Sequence, residues 1–192
     1  MSVSQRFEMA WLRTQAWMAL AVGQREVALR CFNTMLQHCP EHVYALSSRA
    51  HLNVRLNRLP AATADLERAA QLAPSQAAHT FNLGFVLAKQ GQHEAAVAAF
   101  ERATQANPKL DSAWYGMGLS LLQLQQVDAA IAALQRNTEL QPMSPYGWTQ
   151  LARAHVRAAQ PALAQKVLTH LEGFEPNVAK ALAKELELDA RT

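Results

Sequence analysis

Residues 77–110 read AAHTFNLGFVLAKQGQHEAAVAAFERATQANPKL, and how this stretch is read decides the fold. Leu83, Leu87, Ala96, Phe100 and Ala103 recur at three- and four-residue steps, with Gly91 between the two sets and Pro108 after them. Apolar residues at such steps share one face of a helix. The spacing therefore predicts a first helix over about 78–90 and a second over 94–106. Gly91 falls between them, where a tight turn needs positive φ. Gly84 and Ala96 are small enough to let two backbones approach, while Leu83, Leu87 and Phe100 fill the space around that contact.

Pro108 belongs to a series. Pro40, Pro74, Pro108, Pro142 and Pro176 stand 34 residues apart, in a chain with only eight prolines. A fixed period of this size signals stacked repeats. A proline cannot continue a helix, because it lacks the N–H and clashes with the preceding turn, so each marks the end of a unit. The cut gives units 9–42, 43–76, 77–110, 111–144 and 145–178, read as one elongated domain, followed by 179–192. Residues 177–188 read as a further amphipathic helix, with Val178, Leu182 and Leu186 on its apolar face and Lys180, Lys184, Glu185 and Glu187 exposed. Such a helix would cover the apolar end of the array.

The middle unit resembles a tetratricopeptide repeat, whose pattern runs large aromatic, Leu-Gly, Tyr or Leu, then Ala, Phe, Ala and Pro. The fourth unit resembles it through Trp114, Met117-Gly118, Leu121, Ala130, Leu134 and Pro142. The fifth does so through Trp148, Leu151-Ala152, Ala164, Leu168, Leu171 and Pro176. Leu12, Ala16, Ala28, Phe32, Met35 and Pro40 carry it in the first, and Leu46, Ala50, Ala62, Leu66, Ala69 and Pro74 in the second. The resemblance implies an all-α fold, a right-handed α-α superhelix of five helix-turn-helix repeats with a C-terminal capping helix. Four residues depart from the pattern: Arg49 in place of Leu, Asn53 and His155 in place of Tyr or Leu, and Asn137 in place of Ala. A charged group on an inter-helix face must be paired or reach water. Arg49 either snorkels to the edge or lines a pocket for an acidic group.

Composition narrows the function. Half the residues are hydrophobic and the net charge is only +3, without a cluster of Lys and Arg, so nucleic acid is not an expected partner. No run approaches the roughly 18–20 apolar residues of a membrane span. The stretch AWMALAVG (residues 16–23) has the look of a signal-peptide core, but Glu8 and Arg13 precede it and it fits the first repeat in register. Two cysteines, Cys31 and Cys39, make no disulfide framework and point to a reducing cytoplasm. With His38 and His42 they form the only metal-like cluster, spaced as half of a zinc site, so no metal or other cofactor is expected. No Ser or Cys nucleophile has a motif around it and no phosphate loop follows a strand, so the chain is read as non-enzymatic.

What remains is surface. In the family the first helix of each unit lines a groove that takes an extended peptide or a partner helix. Carried over, that arrangement directs Arg13, Trp17, Tyr44, His51, Arg55, Phe81, Asn82, Phe85, Lys89, Tyr115, Leu119, Tyr146, Arg153 and Arg157 toward the groove. It is aromatic in the middle, at Phe81, Phe85 and Tyr115, and basic at the flanks, with Arg13 and Arg55 on one side and Arg153 and Arg157 on the other. Aromatics give contact area and Arg forks onto carboxylates, so the expected ligand is an acidic and hydrophobic peptide. The carboxylate-clamp pattern of the family's co-chaperones is incomplete in every register. The alternatives are an accessory or secretion-type chaperone role in trans, and a homo-oligomeric scaffold, a homodimer for example. Trp11 and Met18, seven apart on the first helix, motivate the latter, because no earlier repeat covers them unless the N-terminal turn folds back.

Overall fold

The computed structural model describes residues 3–186, and among these it has eleven helices and no strand. They are α1 (Val3–Ala21), α2 (Arg25–His38), α3 (Val43–Arg55), α4 (Leu59–Leu72), α5 (Ala77–Lys89), α6 (His93–Ala106), α7 (Asp111–Gln123), α8 (Val127–Leu140), α9 (Pro145–Arg157), α10 (Pro161–Glu172) and α11 (Pro176–Leu186). From α3 onward the first helix of each hairpin begins 34 residues after the last, at Val43, Ala77, Asp111 and Pro145. Both helices of the middle stretch start one residue earlier than the apolar spacing predicts. The chain packs as two compact units, divided between Gln90 and Gly91. In the first, α1 to α5 pack each on the next; in the second, α6 to α11 do the same.

Small residues let the helices of the hairpins inside each unit meet. Ala28, Ala62, Ala130 and Ala164 recur on the second helices and all are fully buried, as is Ala96 of α6. Opposite the first four, Ala16, Ala50 and Ala152 are fully buried on first helices, and Gly118 holds the same position. At Gly118 a Cβ would lie 2.7 Å from Leu134 Cγ. Larger apolar groups, Phe32, Leu66, Phe100, Leu134 and Leu168, close the space around these contacts.

The turn inside every hairpin uses one left-handed residue, at the same 34-residue period: Gly23 (φ 77°), Asn57 (57°), Gly91 (75°), Gln125 (60°) and Ala159 (56°). The expectation at Gly91 holds, but Gln125 and Ala159 adopt the same backbone against their residue type. An L-residue in this region costs roughly 1–2 kcal/mol, and glycine gives back part of that in chain entropy. Ala159→Gly is therefore expected to stabilise the chain by about 0.5–1 kcal/mol, read as a raised thermal midpoint.

The prolines punctuate in two ways. Pro40, Pro74, Pro108 and Pro142 sit in the turns after second helices. Two of these turns are tied down by indole donors: Trp114 Nε1 donates to the Pro108 carbonyl at 2.9 Å, and Trp148 Nε1 to that of Pro142 at 2.8 Å. Pro176 instead opens α11, in the first turn, where a missing N–H is harmless. This helix packs on α9 and α10, with Ala179 and Leu182 buried. The part of the expected capping segment beyond residue 186 lies outside the described residues. At the other end α1 does not fold back. It runs as one helix from Val3, leaving Trp11 59% and Met18 46% exposed.

Candidate binding surfaces

Charge is divided unevenly between the two units. Residues 1–90 carry nine Lys and Arg against five Asp and Glu, whereas 91–192 carry nine against ten. In the first unit most carboxylates are already engaged: Glu8 by His38, Glu26 by Arg58, Glu41 by Arg68 and Asp65 by Arg49. Among the described residues no ion pair engages Arg13, Arg25 or Arg55. The surplus positive charge is thus free.

These three arginines frame two hollows on the first unit. A cavity of about 400 Å3 is lined by Leu20, Gly23, Arg25, Ser47, Ser48, His51, Leu52 and Arg55. No carboxylate lines it. A second hollow of about 280 Å3 is lined by Arg13, Thr14, Trp17 and Tyr44. Arg13 Cζ stands 5.9 Å from the centroid of the Tyr44 ring, which meets Phe32 edge-on. Trp17 is 68% exposed. Farther along, Phe85 is exposed beneath Lys89 Nζ at 5.5 Å, Asn82 is exposed and Phe81 is half-buried. Arg25, Ser47 and Ser48 are absent from the sequence-based set. Arg25 begins α2, whereas the family pattern directs attention to first helices only.

The second unit differs. Tyr115 and Leu119 are half-buried on α7, and Tyr146 is largely exposed at the start of α9. Arg153, expected on the basic flank, is engaged within the chain. Its Nε and Nη2 donate to Glu185 of α11 at 2.9 and 2.7 Å. The hydrogen bond from Arg153 holds the Glu185 carboxyl below its usual range. Arg157 remains exposed. Arg153→Ala is therefore expected to speed amide exchange across α11 while leaving acidic-peptide affinity unchanged. Acid should loosen this contact too, because a depressed carboxylate loses its stabilising charge as pH falls through its folded-state pKa.

Arg49 is paired within the chain while keeping 28% of its side chain exposed. Its Nε and Nη2 donate to Asp65 Oδ2 and Oδ1 at 2.8 and 2.6 Å, and Nη1 donates to Asn33 Oδ1 at 2.9 Å. The acidic group comes from the chain itself. The other departures are likewise satisfied within the fold. Asn137 Nδ2 donates to the Asp111 carbonyl at 2.9 Å, and His155 Nδ1 meets Gln160 Oε1 at 2.8 Å. The cysteine–histidine cluster is dispersed. His42 caps α3 through Nδ1, His38 pairs with Glu8, and among the described residues no three His, Cys, Asp or Glu side chains gather to hold a metal.

His79 is a buried titratable group of the first unit. Its Nδ1 meets Ser47 Oγ at 3.1 Å, Nε2 has no hydrogen-bond partner, and burial lowers its pKa. A lowered imidazole pKa means that the unfolded chain takes up the proton first, so stability falls as pH drops through about 6.5. His79→Ala should flatten that part of the stability–pH profile, measured by denaturation between pH 7.5 and 5.5.

A tetratricopeptide-repeat family model matches residues 13–77, 48–111 and 81–145. Among solved structures, MamA aligns with a TM-score of 0.84 at 20% identity, covering 90% of this chain and 94% of its own. A MamA fragment from Desulfovibrio magneticus aligns with a TM-score of 0.78 at 22% identity, covering 96% and 98%. YrrB, described as a tetratricopeptide-repeat protein with an unusual peptide-binding site, gives 0.77 at 20% identity, covering 88% of each. No curated protein sequence matches the chain. At these identities the alignments establish a shared solenoid fold. Among the described residues no helix is long and apolar enough to cross a membrane.

Proposed function

The chain belongs to the tetratricopeptide-repeat family, and from that premise we propose that it is a non-enzymatic adaptor whose N-terminal unit binds an acidic, partly apolar protein segment. The observation that carries this reading is the set of three arginines without carboxylate partners, Arg13, Arg25 and Arg55, beside exposed Trp17, Tyr44 and Phe85. A guanidinium offers its donors in a fixed fork that a carboxylate matches, and aromatic faces supply contact area at small entropic cost. Arg25 and Arg55 receive an acidic side chain in the larger cavity, with Ser47, Ser48 and His51 as further donors. Apolar residues of the segment lie on Trp17 and Tyr44. The unbridged thiols of Cys31 and Cys39 are in keeping with a reducing cytoplasm.

The test is affinity capture from the protein's own cell extract with the full chain as bait. A partner should elute at raised salt and be lost from an Arg25→Ala/Arg55→Ala bait that keeps its helical circular dichroism. A partner retained equally by both baits would remove the cavity from the account.

A further inference from the structure

The face of α1 that carries Trp11 and Met18 shares no residue with the cavity of Arg25 and Arg55, and borders the smaller hollow of Arg13 through Thr14. Phe7 is 73%, Trp11 59%, Met18 46% and Val22 69% exposed. With Thr14 they step by four, three, four and four residues, so they form one stripe. The opposite side of α1, with Met9, Ala16 and Ala19, is buried against the rest of the unit.

Later repeats show what such a face is for. Thirty-four residues on from Trp11 stand Ala45, His79, Ala113 and Gly147, and on from Met18 stand Leu52, Val86, Ser120 and Ala154. All eight are buried. This is the face by which a first helix packs on the helix before it. In the second unit the fit is so close that a Cβ on Gly147 would lie 2.1 Å from Asn137 Oδ1 of α8. Trp11 is far larger than Ala45, Ala113 and Gly147, so this face of α1 is not shaped for the close approach that α9 makes to α8.

The stripe does fit itself. Phe7 and Val22, and Trp11 and Met18, lie at equal distances on either side of a point between Thr14 and Gln15. We propose that two copies of this chain pair through antiparallel α1 helices about a two-fold axis between Thr14 and Gln15, with Trp11 against Met18 and Phe7 against Val22 of the other copy. A two-fold contact requires one patch to be its own complement, and this patch is. At the axis the Thr14 hydroxyl already donates to the Ala10 carbonyl at 3.0 Å, so it can be covered without losing a hydrogen bond. The same register sets Arg6 opposite Gly23 and Glu8 opposite Ala21, so no like charges face each other. At roughly 150–250 Å2 per large aromatic, Phe7 and Trp11 expose about 250–300 Å2 per chain. Met18 and Val22 bring two chains toward the ~1,000 Å2 that a specific interface clears.

Sedimentation equilibrium of the full chain at high micromolar concentration should give a dimer, and Trp11→Asp a monomer with unchanged helical signal. Register is read by crosslinking in a Cys39→Ser background. A Phe7→Cys chain mixed with a Val22→Cys chain should form the mixed disulfide in preference to either self-linked product. A monomeric wild-type chain, a Trp11→Asp dimer, open-ended polymers or a predominant Phe7→Cys self-link would each overturn the pairing. The proposal stands apart from the peptide site, because Trp11→Asp should keep the affinity of the arginine-lined cavity.

Discussion

Arg49→Leu is expected to destabilise the first unit by about 3 kcal/mol, although leucine is the residue the repeat pattern asks for. The reason lies across the hairpin. Arg49 and Asp65 hold positions occupied in the second unit by apolar pairs, Met117 with Ala133 and Leu151 with Val167. All four of those residues are buried. Asp65 keeps only 7% of its side chain exposed, and its carboxylate is held by Arg49. That hydrogen bond is the main cause of the raised Arg49 pKa, against the opposing effect of burial. Removing one partner of a buried pair costs roughly 3–5 kcal/mol, because a charge is left without compensation. The lower end applies here, since Arg49 itself is 28% exposed.

The double variant Arg49→Leu/Asp65→Ala replaces the ion pair by an apolar pair of the kind found in the hairpins of the second unit. It should recover stability to within about 1 kcal/mol of wild type, or exceed it, as apolar replacements of buried ion pairs often do. Chemical denaturation of the four members of the cycle measures this directly. A single Arg49→Leu variant as stable as wild type would show that the pair contributes nothing to the packing.

Gly118→Val acts on the second unit, where the expected loss is at least about 3 kcal/mol. Its Cβ would meet Leu134 Cγ at 2.7 Å and Cδ2 at 2.9 Å, with the Ala130 carbonyl oxygen at 3.5 Å. Leu134 is fully buried and has nowhere to retreat. Overpacking a dense interior typically costs 1–3 kcal/mol, and the branched γ-methyls add strain to the helix–helix contact. Because repeats are stabilised by their neighbours, the damage should spread along α7 to α10. Trp114 and Trp148 report on that region through near-ultraviolet circular dichroism. Pairing the change with Leu134→Ala should recover part of the loss, which separates a steric cause from a backbone one. An unchanged melt for Gly118→Val would contradict the close approach of α7 and α8.

Periodicity made the architecture legible, and chemistry beyond the period was harder to read. The proline series, the small residues at Ala28 to Ala164 and the turn at Gly91 all repeat with the structure, so local pattern and packing agree. Gln125 and Ala159 hide the same left-handed turn, because neither residue type announces it. The partner of Arg49 could have been found by noting that Asp65 replaces an alanine in the same repeat. Glu185 could not have been assigned to Arg153, since α11 departs from the period that places α2 to α10. The free arginines emerge only once the engaged carboxylates are known, and Arg25 lies outside the first-helix positions of the family pattern.

Isothermal titration of the full chain with a ten-residue peptide alternating Asp or Glu with Leu and Phe tests the proposed role most directly. The account expects one peptide per chain, affinity that falls steadily with added salt, and at least about a hundredfold loss in Arg25→Ala/Arg55→Ala. That loss follows from removing two charge-assisted contacts worth roughly 1.5–3 kcal/mol each. Binding indifferent to salt and to both arginines, or no binding at low salt, would contradict an acidic segment as the ligand of this unit.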